Sequence, residues 1–447
     1  MSTGRSSRRS SGGPVVVVGG GQAGLAAARA LLEHQIVPLV LEASDRAAGS
    51  WPCYYDSLTA FSPAGFSSLP GMPFPGDPDH YPTRDEVAGY LERYAAGLGV
   101  EISTGTRVVT VRRDGRRFVV VTADGRQVLA GAVVAASGSF SSPHRPTFPG
   151  QETFTRGLLH VADYRNPSAY AGKRVIVAGA GDSAAQVASE LAPVARVTLA
   201  ARHRLRFIPQ RIGGKDVHHW LRETGFDSLP AGWLNMITAG SVITDSVGFR
   251  QTLADGRLDV RPMFAGFDQD HVVWGDGQRE RADAVILATG YRPSLRYLRE
   301  LGALDARGAP LHSGGISTSH LGLVYLGLEF QRSYASNTLR GVSTDASGVI
   351  APLAAWIRDA PRTVGLAMPQ TRQVESPGFA ADEDHAAVCD TGVKSADLQA
   401  APAPALTGRR RAVPSRRTVS LVCSAPRRDR RQQPRASGWK PIRVTAL

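Results

Sequence analysis

The sequence predicts an α/β protein: two doubly wound Rossmann-type dinucleotide-binding domains, the second inserted in the first, with disordered basic termini. Three observations predict it. A strand, a glycine-rich turn and a helix occur twice, as "VVVVGGGQAGLAAARA" at 15–30 and "KRVIVAGAGDSAAQVA" at 173–188. Each half then carries a turn-bearing β segment, "VVVTADGRQV" at 119–128 and "VVWGDGQRER" at 272–281. Each half closes on a buried strand and a small-residue turn, "AVVAASG" at 132–138 and "AVILATG" at 284–290, so that Gly19 to Gly138 spans 119 residues and Gly179 to Gly290 spans 111.

The ends differ from the middle. Residues 1–13, "MSTGRSSRRSSGG", are small and polar and read as a disordered arm. Beyond 369 the apolar period fails, and 369–447 reads as a disordered Pro/Arg-rich tail. Of the net charge of +13, residues 409–447 supply twelve Lys/Arg against one acid and residues 1–13 supply three Arg, which leaves 14–408 at −1. A basic patch on a folded face, as nucleic-acid binding requires, is not implied. The tail is either a solvated extension or a weak polyanion-binding arm. No apolar run approaches the roughly 20 residues of a bilayer helix. Arg5, Arg8 and Arg9 precede no export core, so a cytoplasmic location is expected. Cys53, Cys389 and Cys423 form no CxxC pair, which argues against a zinc ribbon or a dithiol centre.

In "GGGQAG" at 19–24, Gly19 allows a tight turn, Gly21 lets a pyrophosphate approach the backbone, and Gly24 lets the helix pack on the strand. The helix start then offers free N–H groups to phosphates. The next strand, "VPLVLE", ends at Glu42, 23 residues after Gly19, where a carboxylate can accept two ribose hydroxyls. The alternative is a solvated strand-end glutamate.

In the second half Gly179 and Gly181 repeat the first two glycines, and Ala184 stands third. The residue 23 after Gly179 is Arg202, in "VTLAARHRLRF". A carboxylate repels a 2′-phosphate, whereas a guanidinium grips it in a bidentate pair. The first turn is therefore expected to take an unphosphorylated adenosine and the second NADP, with Arg204 and Arg206 as helpers; an exposed basic loop is the alternative. Two dinucleotides imply a hydride donor and an acceptor, and FAD with NADPH is the productive pair. Residues 14–165 and 285–368 then form the FAD-binding unit and 166–284 the NADPH-binding unit.

The paired turns, with "FPGQETFTRGLLHVADY" between them, resemble the class B flavoprotein monooxygenases. That family's Phe-x-Gly and His-x-x-x-Tyr/Trp signature is matched by Phe148, Gly150, His160 and Tyr164. The long Gly150–His160 gap is similar to that of plant auxin-forming monooxygenases and of bacterial arsenic-operon and metal-resistance-associated flavoproteins, and "SLPGMPFPGDPDHYPTRDEVAGYLERYA" at 68–95 also resembles those bacterial proteins. The resemblance covers roughly residues 14–360. It implies that Gly19, Gly21, Gly24 and Glu42 bind FAD, with Ser50 and Trp51 of "AGSW" near the flavin. It implies that Gly179, Gly181, Asp182, Ser183, Ala184 and Arg202 hold NADPH, and that His160 and Tyr164 couple the two units. Amine oxidisers of the family often keep an Asn in the stretch before the Pro-Phe-Pro; here Phe61 falls near that place.

The implied chemistry is hydride transfer from NADPH to FAD, formation of a flavin (hydro)peroxide with O₂, and transfer of one oxygen atom to a small soft nucleophile or carbonyl in a pocket kept dry. Asp56 and Asn337 are candidate polar contacts at the flavin, with a turn residue and a helix cap as the alternatives. Ser137 with Gly138, and Thr289 with Gly290, sit in the two small-residue turns and read as backbone-positioning residues near cofactors. Asp216, His218 and His219 suggest no metal, since adjacent His side chains point apart. Two rivals remain. A disulfide or peroxide reductase would use the lone Cys53, and a non-catalytic NADP(H)-binding redox sensor would recruit a partner through the tail.

Overall fold

A computed structural model describes residues 13–230, 232–233, 243–245 and 248–359; the arm before Gly13 and the tail at 369–447 lie outside the described residues. In chain order the first half runs β1 (Val15–Val18), α1 (Gln22–Glu33), β2 (Pro38–Leu41), α2 (Arg84–Gly97), β3 (Glu101–Ser103), β4 (Val108–Asp114), β5 (Arg117–Thr122), β6 (Gln127–Ala130) and β7 (Ala132–Ala135). The second half follows as β8 (Gly157–His160), β9 (Arg174–Ala178), α3 (Asp182–Leu191), β10 (Arg196–Ala201), β11 (Phe207–Ile208), β12 (Arg211–Ile212), β13 (Lys215–Asp216), α4 (Val217–Glu223) and β14 (Ile243–Thr244). It continues through α5 (Phe249–Ala254), β15 (Leu258–Pro262), β16 (Gly266–Asp268), β17 (His271–Val273), β18 (Arg279–Arg281) and β19 (Ala284–Leu287). The chain then returns as β20 (His312–Ser313), β21 (Ile316–Ser317), β22 (Leu323–Tyr325) and α6 (Val342–Asp359).

Two sheets organise these elements. The first has the order β20-β21-β22-β7-β1-β2-β3 and the second β15-β10-β9-β19-β8. The parallel strands correspond one to one: β3-β2-β1-β7-β22 in one matches β15-β10-β9-β19-β8 in the other. Because β22 arrives only after the second sheet is complete, the topology is that of an insertion.

Side-chain alternation fixes what covers each face. Val15 and Val17 pack with α1, α2 and α6, while Val16 and Val18 pack with Val111, Phe118 and Val120 of the β4–β6 meander. The second sheet repeats this: Val175 and Val177 face α3, and Ile176 and Ala178 face Phe264, Phe267 and Trp274 around the β16–β18 meander. Each half is thus helix, sheet and meander in three layers, not helices on both faces as "doubly wound" implies. Burial on both faces reads the same in a strand whether a helix or a sheet does the covering.

The sheet boundaries also differ from 165/166 and 284/285. β8 pairs with β19, and β19 pairs with β9, so both strands belong to the second sheet. The chain crosses between sheets along 136–156 and again after Leu287. Local signals set the element ends. Eight small or apolar residues of α1 are buried, which lets it lie close on the sheet. Thr83 and Glu86 form a reciprocal capping box that starts α2.

Candidate active site

The two glycine turns share a backbone. The Gly19 N–H donates to the Leu41 carbonyl (2.8 Å) and the Gly179 N–H to the Ala200 carbonyl (2.9 Å). A Cβ on Gly19 would lie 2.4 Å from the Ala136 oxygen, and one on Gly179 2.4 Å from the Ala288 oxygen. Each turn is therefore pressed against the end of its central crossover strand, and neither first glycine has room for a side chain. At the third position the halves part. A Cβ on Gly24 would lie 1.8 Å from the Gly19 oxygen, whereas Ala184 is accommodated in the second half.

The charged residues at offset 23 also differ in environment. Glu42 is 6% exposed. Its carboxylate accepts from the Gly20 N–H, and from the Ser44 N–H and hydroxyl at 2.7 Å each. It braces the turn as well as offering an anion there. Arg202 follows β10 as Glu42 follows β2, but it is exposed, and among the described residues no carboxylate pairs with it. Burial, then the charges of Arg292 and Arg202, hold His144 below its ordinary pKa, which puts these basic groups in one neighbourhood.

Both turns fit a dinucleotide pyrophosphate. In the first, Gly49 (φ +58°) brings its backbone so close that a Cβ would lie 2.7 Å from the Gly21 Cα, so the "AGSW" loop roofs the turn. In the second, a Cβ on Gly181 would meet nothing within 4 Å among the described residues. Gly21 and Gly181 each precede a helix with no side-chain cap, which leaves the first amides available to phosphate oxygens.

An aromatic segment bridges the turns. The Trp51 indole N–H donates to Gln22 Oε1 (2.9 Å) at the start of α1. Its ring lies 5.8 Å from that of Tyr54, whose hydroxyl meets Ser50. The next residue, Tyr55, donates to Gln186 Oε1 (2.8 Å) in α3 and also meets Ser183. Gln22, Gly49, Tyr54 and Tyr55 went unassigned in the sequence; the aromatic pair just after "GSW" was the available signal. Asp182 points its carboxylate at the Thr244 N–H (2.9 Å) and hydroxyl (3.1 Å), and burial raises its pKa to about 6. Its role there is to tie the start of α3 to β14.

The small-residue turns join the halves. Ser137 donates to the Ser294 carbonyl (2.8 Å) and Thr289 to the His144 carbonyl (2.5 Å). The crossing segments run antiparallel, with His144 N–H to the Gly290 oxygen, Arg292 N–H to the Ser142 oxygen and Ser294 N–H to the Gly138 oxygen. The signature residues do not form one cluster. Phe148 packs on Phe264 and Phe267, and a Cβ on Gly150 (φ +71°) would lie 2.1 Å from the Phe267 oxygen. That half of the signature docks the linker on the second meander. His160 is fully buried. Its Nδ1 accepts from the Ala162 N–H, so Nε2 carries the proton and donates to the Gly290 oxygen (3.0 Å); burial lowers its pKa to about 4. Tyr164 donates to Glu190 Oε2 (2.9 Å) in α3.

Asp56 and Asn337 are not arranged as a catalytic pair. Asp56 accepts from Arg84 (2.8 Å) and from Asn166 (3.0 Å), bonds that lower its pKa. Through these bonds it joins α2 to the linker. Asn337 is exposed, and only its backbone oxygen is engaged, by the Gln22 amide at 3.4 Å. Cys53 is exposed and free. Among the described residues no group of three or more His, Cys, Asp or Glu is placed to hold a metal, and no helix is long and apolar enough to cross a membrane.

Comparisons with known proteins agree with this architecture. The family described as pyridine nucleotide-disulphide oxidoreductase matches residues 16–229. A CzcO-like oxidoreductase of Geobacillus kaustophilus is 34% identical over 331 residues, covering 74% of this chain and 94% of that protein. The indole-3-pyruvate monooxygenase YUCCA4 of Oryza sativa subsp. japonica is 28% identical over 389 residues, covering 75% and 86%. The structure of a flavin-containing monooxygenase from Stenotrophomonas maltophilia superposes with a TM-score of 0.69 at 32% identity, over 77% of this chain and 98% of that one. The chain belongs to the flavin-containing monooxygenase-like family and is an FAD-dependent oxidoreductase, of a family whose members use FAD and NADPH.

Proposed function

We propose that the protein is an NADPH-dependent FAD monooxygenase that inserts one oxygen atom from O₂ into a small soft nucleophile or carbonyl compound. The observation that carries this reading is the pair of matched turns with opposite charge, Glu42 at one and Arg202 at the other. When bound, the flavin supplies two-electron chemistry and, once reduced, reaction with O₂. The chain's own residues bind and orient. Gly19, Gly21 and Gly24 with Glu42 would hold the FAD diphosphate and ribose. Gly179, Gly181 and Ala184 would hold the NADPH diphosphate, with Arg202 on the 2′-phosphate. Trp51, Tyr54 and Tyr55 would wall the space between the turns and exclude water from it.

Cys53 belongs to no CxxC pair, which weighs against disulfide reduction. Two measurements test the proposal. Anaerobically reduced protein mixed with aerated buffer should show an absorbance band, distinct from oxidised and reduced flavin, that persists for seconds. Cys53→Ser should oxidise NADPH within about twofold of the parent. Immediate return to oxidised flavin together with loss of turnover in Cys53→Ser would replace this reading by a single-cysteine reductase.

A further inference from the structure

Between β10 and β15 the second half makes an excursion, and the part at 207–230 lies against the first half at two separate places. At one, Asp216 is 5% exposed. Its carboxylate accepts from the Tyr81 hydroxyl of the first half, from Gln210 Nε2 (2.8 Å), and from the His218 N–H (2.9 Å) and Nδ1 (2.7 Å). Gln210 also donates to the Phe61 oxygen (3.3 Å). The rings of Phe61 and Phe66 lie 5.9 and 6.0 Å from His218, and Arg222 covers Phe66 at 4.6 Å. Phe61, near the place where amine oxidisers of the resembled family often carry Asn, is here part of a docking surface. At the other place Arg340, just before α6, makes a bidentate pair with Asp227, two bonds of 2.9 Å between side chains 7% and 13% exposed. Phe226 packs edge-on against Tyr334 at 5.0 Å, and Pro230 bridges to Ser333.

These contacts are side-chain specific and largely dehydrated, unlike the exposed ion pairs that contribute little. Their position matters more than their strength. Tyr334, beside the Asp227–Arg340 pair, also feels the charges of Asp182 at the start of α3 and of Glu329 in the first half. The second contact therefore lies within reach of the charge at the start of α3. Both contacts tie one half to the other, as the Tyr55–Gln186 bond also does.

We infer that residues 207–230 form a two-point latch, Asp216 on Tyr81 and Asp227 on Arg340, that sets the register of the two glycine turns for hydride transfer. Tyr81 and Arg340 are positioning residues: they act on the distance between two bound groups and on neither group directly. The inference rests on the reading that the second turn carries NADPH, so the test uses one readout that needs no nucleotide and one that does.

The variants are Tyr81→Phe, which deletes one oxygen, and Arg340→Lys, which keeps the charge but loses the fork. In the holoprotein, amide hydrogen exchange across α4 and residues 59–66 should quicken at least fivefold in the double variant, with β9 and β10 unchanged. Reduction of bound flavin by saturating NADPH should slow about tenfold, with FAD occupancy and NADPH affinity held within twofold. Tyr81→Phe alone should give a several-fold share of both effects, and it carries the test if the double variant does not fold. Faster exchange with an unchanged reduction rate would make the contact a mere staple and overturn the inference. Slower reduction with unchanged exchange would overturn it too. A parent protein that NADPH does not reduce would instead refute the proposed function, while the exchange result would still report whether the latch opens.

Discussion

The first glycine turn stands beside a buried carboxylate; the second stands beside an exposed guanidinium. They share a backbone down to the carbonyl each glycine presses on, and they differ in what surrounds it. Gly49 roofs Gly21, and Glu42 is buried against the Gly20 amide. Among the described residues nothing lies within 4 Å of a Cβ placed on Gly181, and Arg202 stands exposed with no acidic partner. On the proposed function, the difference would let one repeated unit serve two ligand lifetimes. A turn whose anion is already fixed by the protein suits a resident cofactor. A turn beside an exposed cation suits a co-substrate that arrives and leaves each cycle.

The sharpest way to break the comparison is to give the first turn the residue the second one carries. Gly24→Ala places a Cβ 1.8 Å from the Gly19 oxygen, so the helix must leave the strand. The purified variant should lack bound FAD, read from its visible absorbance, and lose about 3 kcal/mol of stability to chemical denaturation, at the upper end for overpacking. Retention of the cofactor would mean that the two turns tolerate the same residue after all.

Reversing the charge at the second turn should have the next largest effect. Arg202→Glu removes one charge-assisted contact and adds a like charge, so the NADPH-to-NADH ratio of kcat/KM should fall by roughly 100-fold. FAD content should not change. An unchanged ratio would assign the 2′-phosphate to another cation.

The smallest effect sharpens the comparison at the helix starts. α1 begins with Gln22, a neutral residue, and α3 with Asp182, whose pKa in the fold is raised to about 6 from 3.8. Between those values the folded state binds the proton and the unfolded state does not, so this group makes stability fall as pH rises from about 4 to 6. Asp182→Asn keeps an oxygen for Thr244 and removes that loss. Its stability relative to the parent, measured by urea unfolding, should be near zero at pH 4, rise through pH 6 and level off above it. A constant difference across that range would show that Asp182 does not titrate there.

Much of this was legible in the sequence, and the illegible parts have physical reasons. The turns were legible because a phosphate-binding turn needs glycine where a Cβ would strike backbone, as at Gly19, Gly24 and Gly179. The charge contrast was legible because the offset from glycine to strand end repeats. The layers were not, because Val16 and Ile176 are equally buried whether a helix or a meander lies over them. Nor was the second sheet's edge: "GLLH" is four residues long, and only its pairing with β19 shows that β8 leaves the first half. Asp182 and Arg340 have partners 62 and 113 residues away, and neither Thr244 nor Asp227 carries a local mark of that pairing. Phe148 and His160, both in the signature, do different work: one packs on Phe264 and Phe267, the other donates to the Gly290 oxygen.

The most direct measurement passes the purified protein, preincubated with FAD and NADP⁺, through a desalting column and then adds NADPH or NADH without oxygen. The account predicts that about one FAD per chain stays, that NADP⁺ leaves, and that NADPH bleaches the flavin at least tenfold faster than NADH does. A colourless protein, or equal bleaching by the two nucleotides, would contradict it.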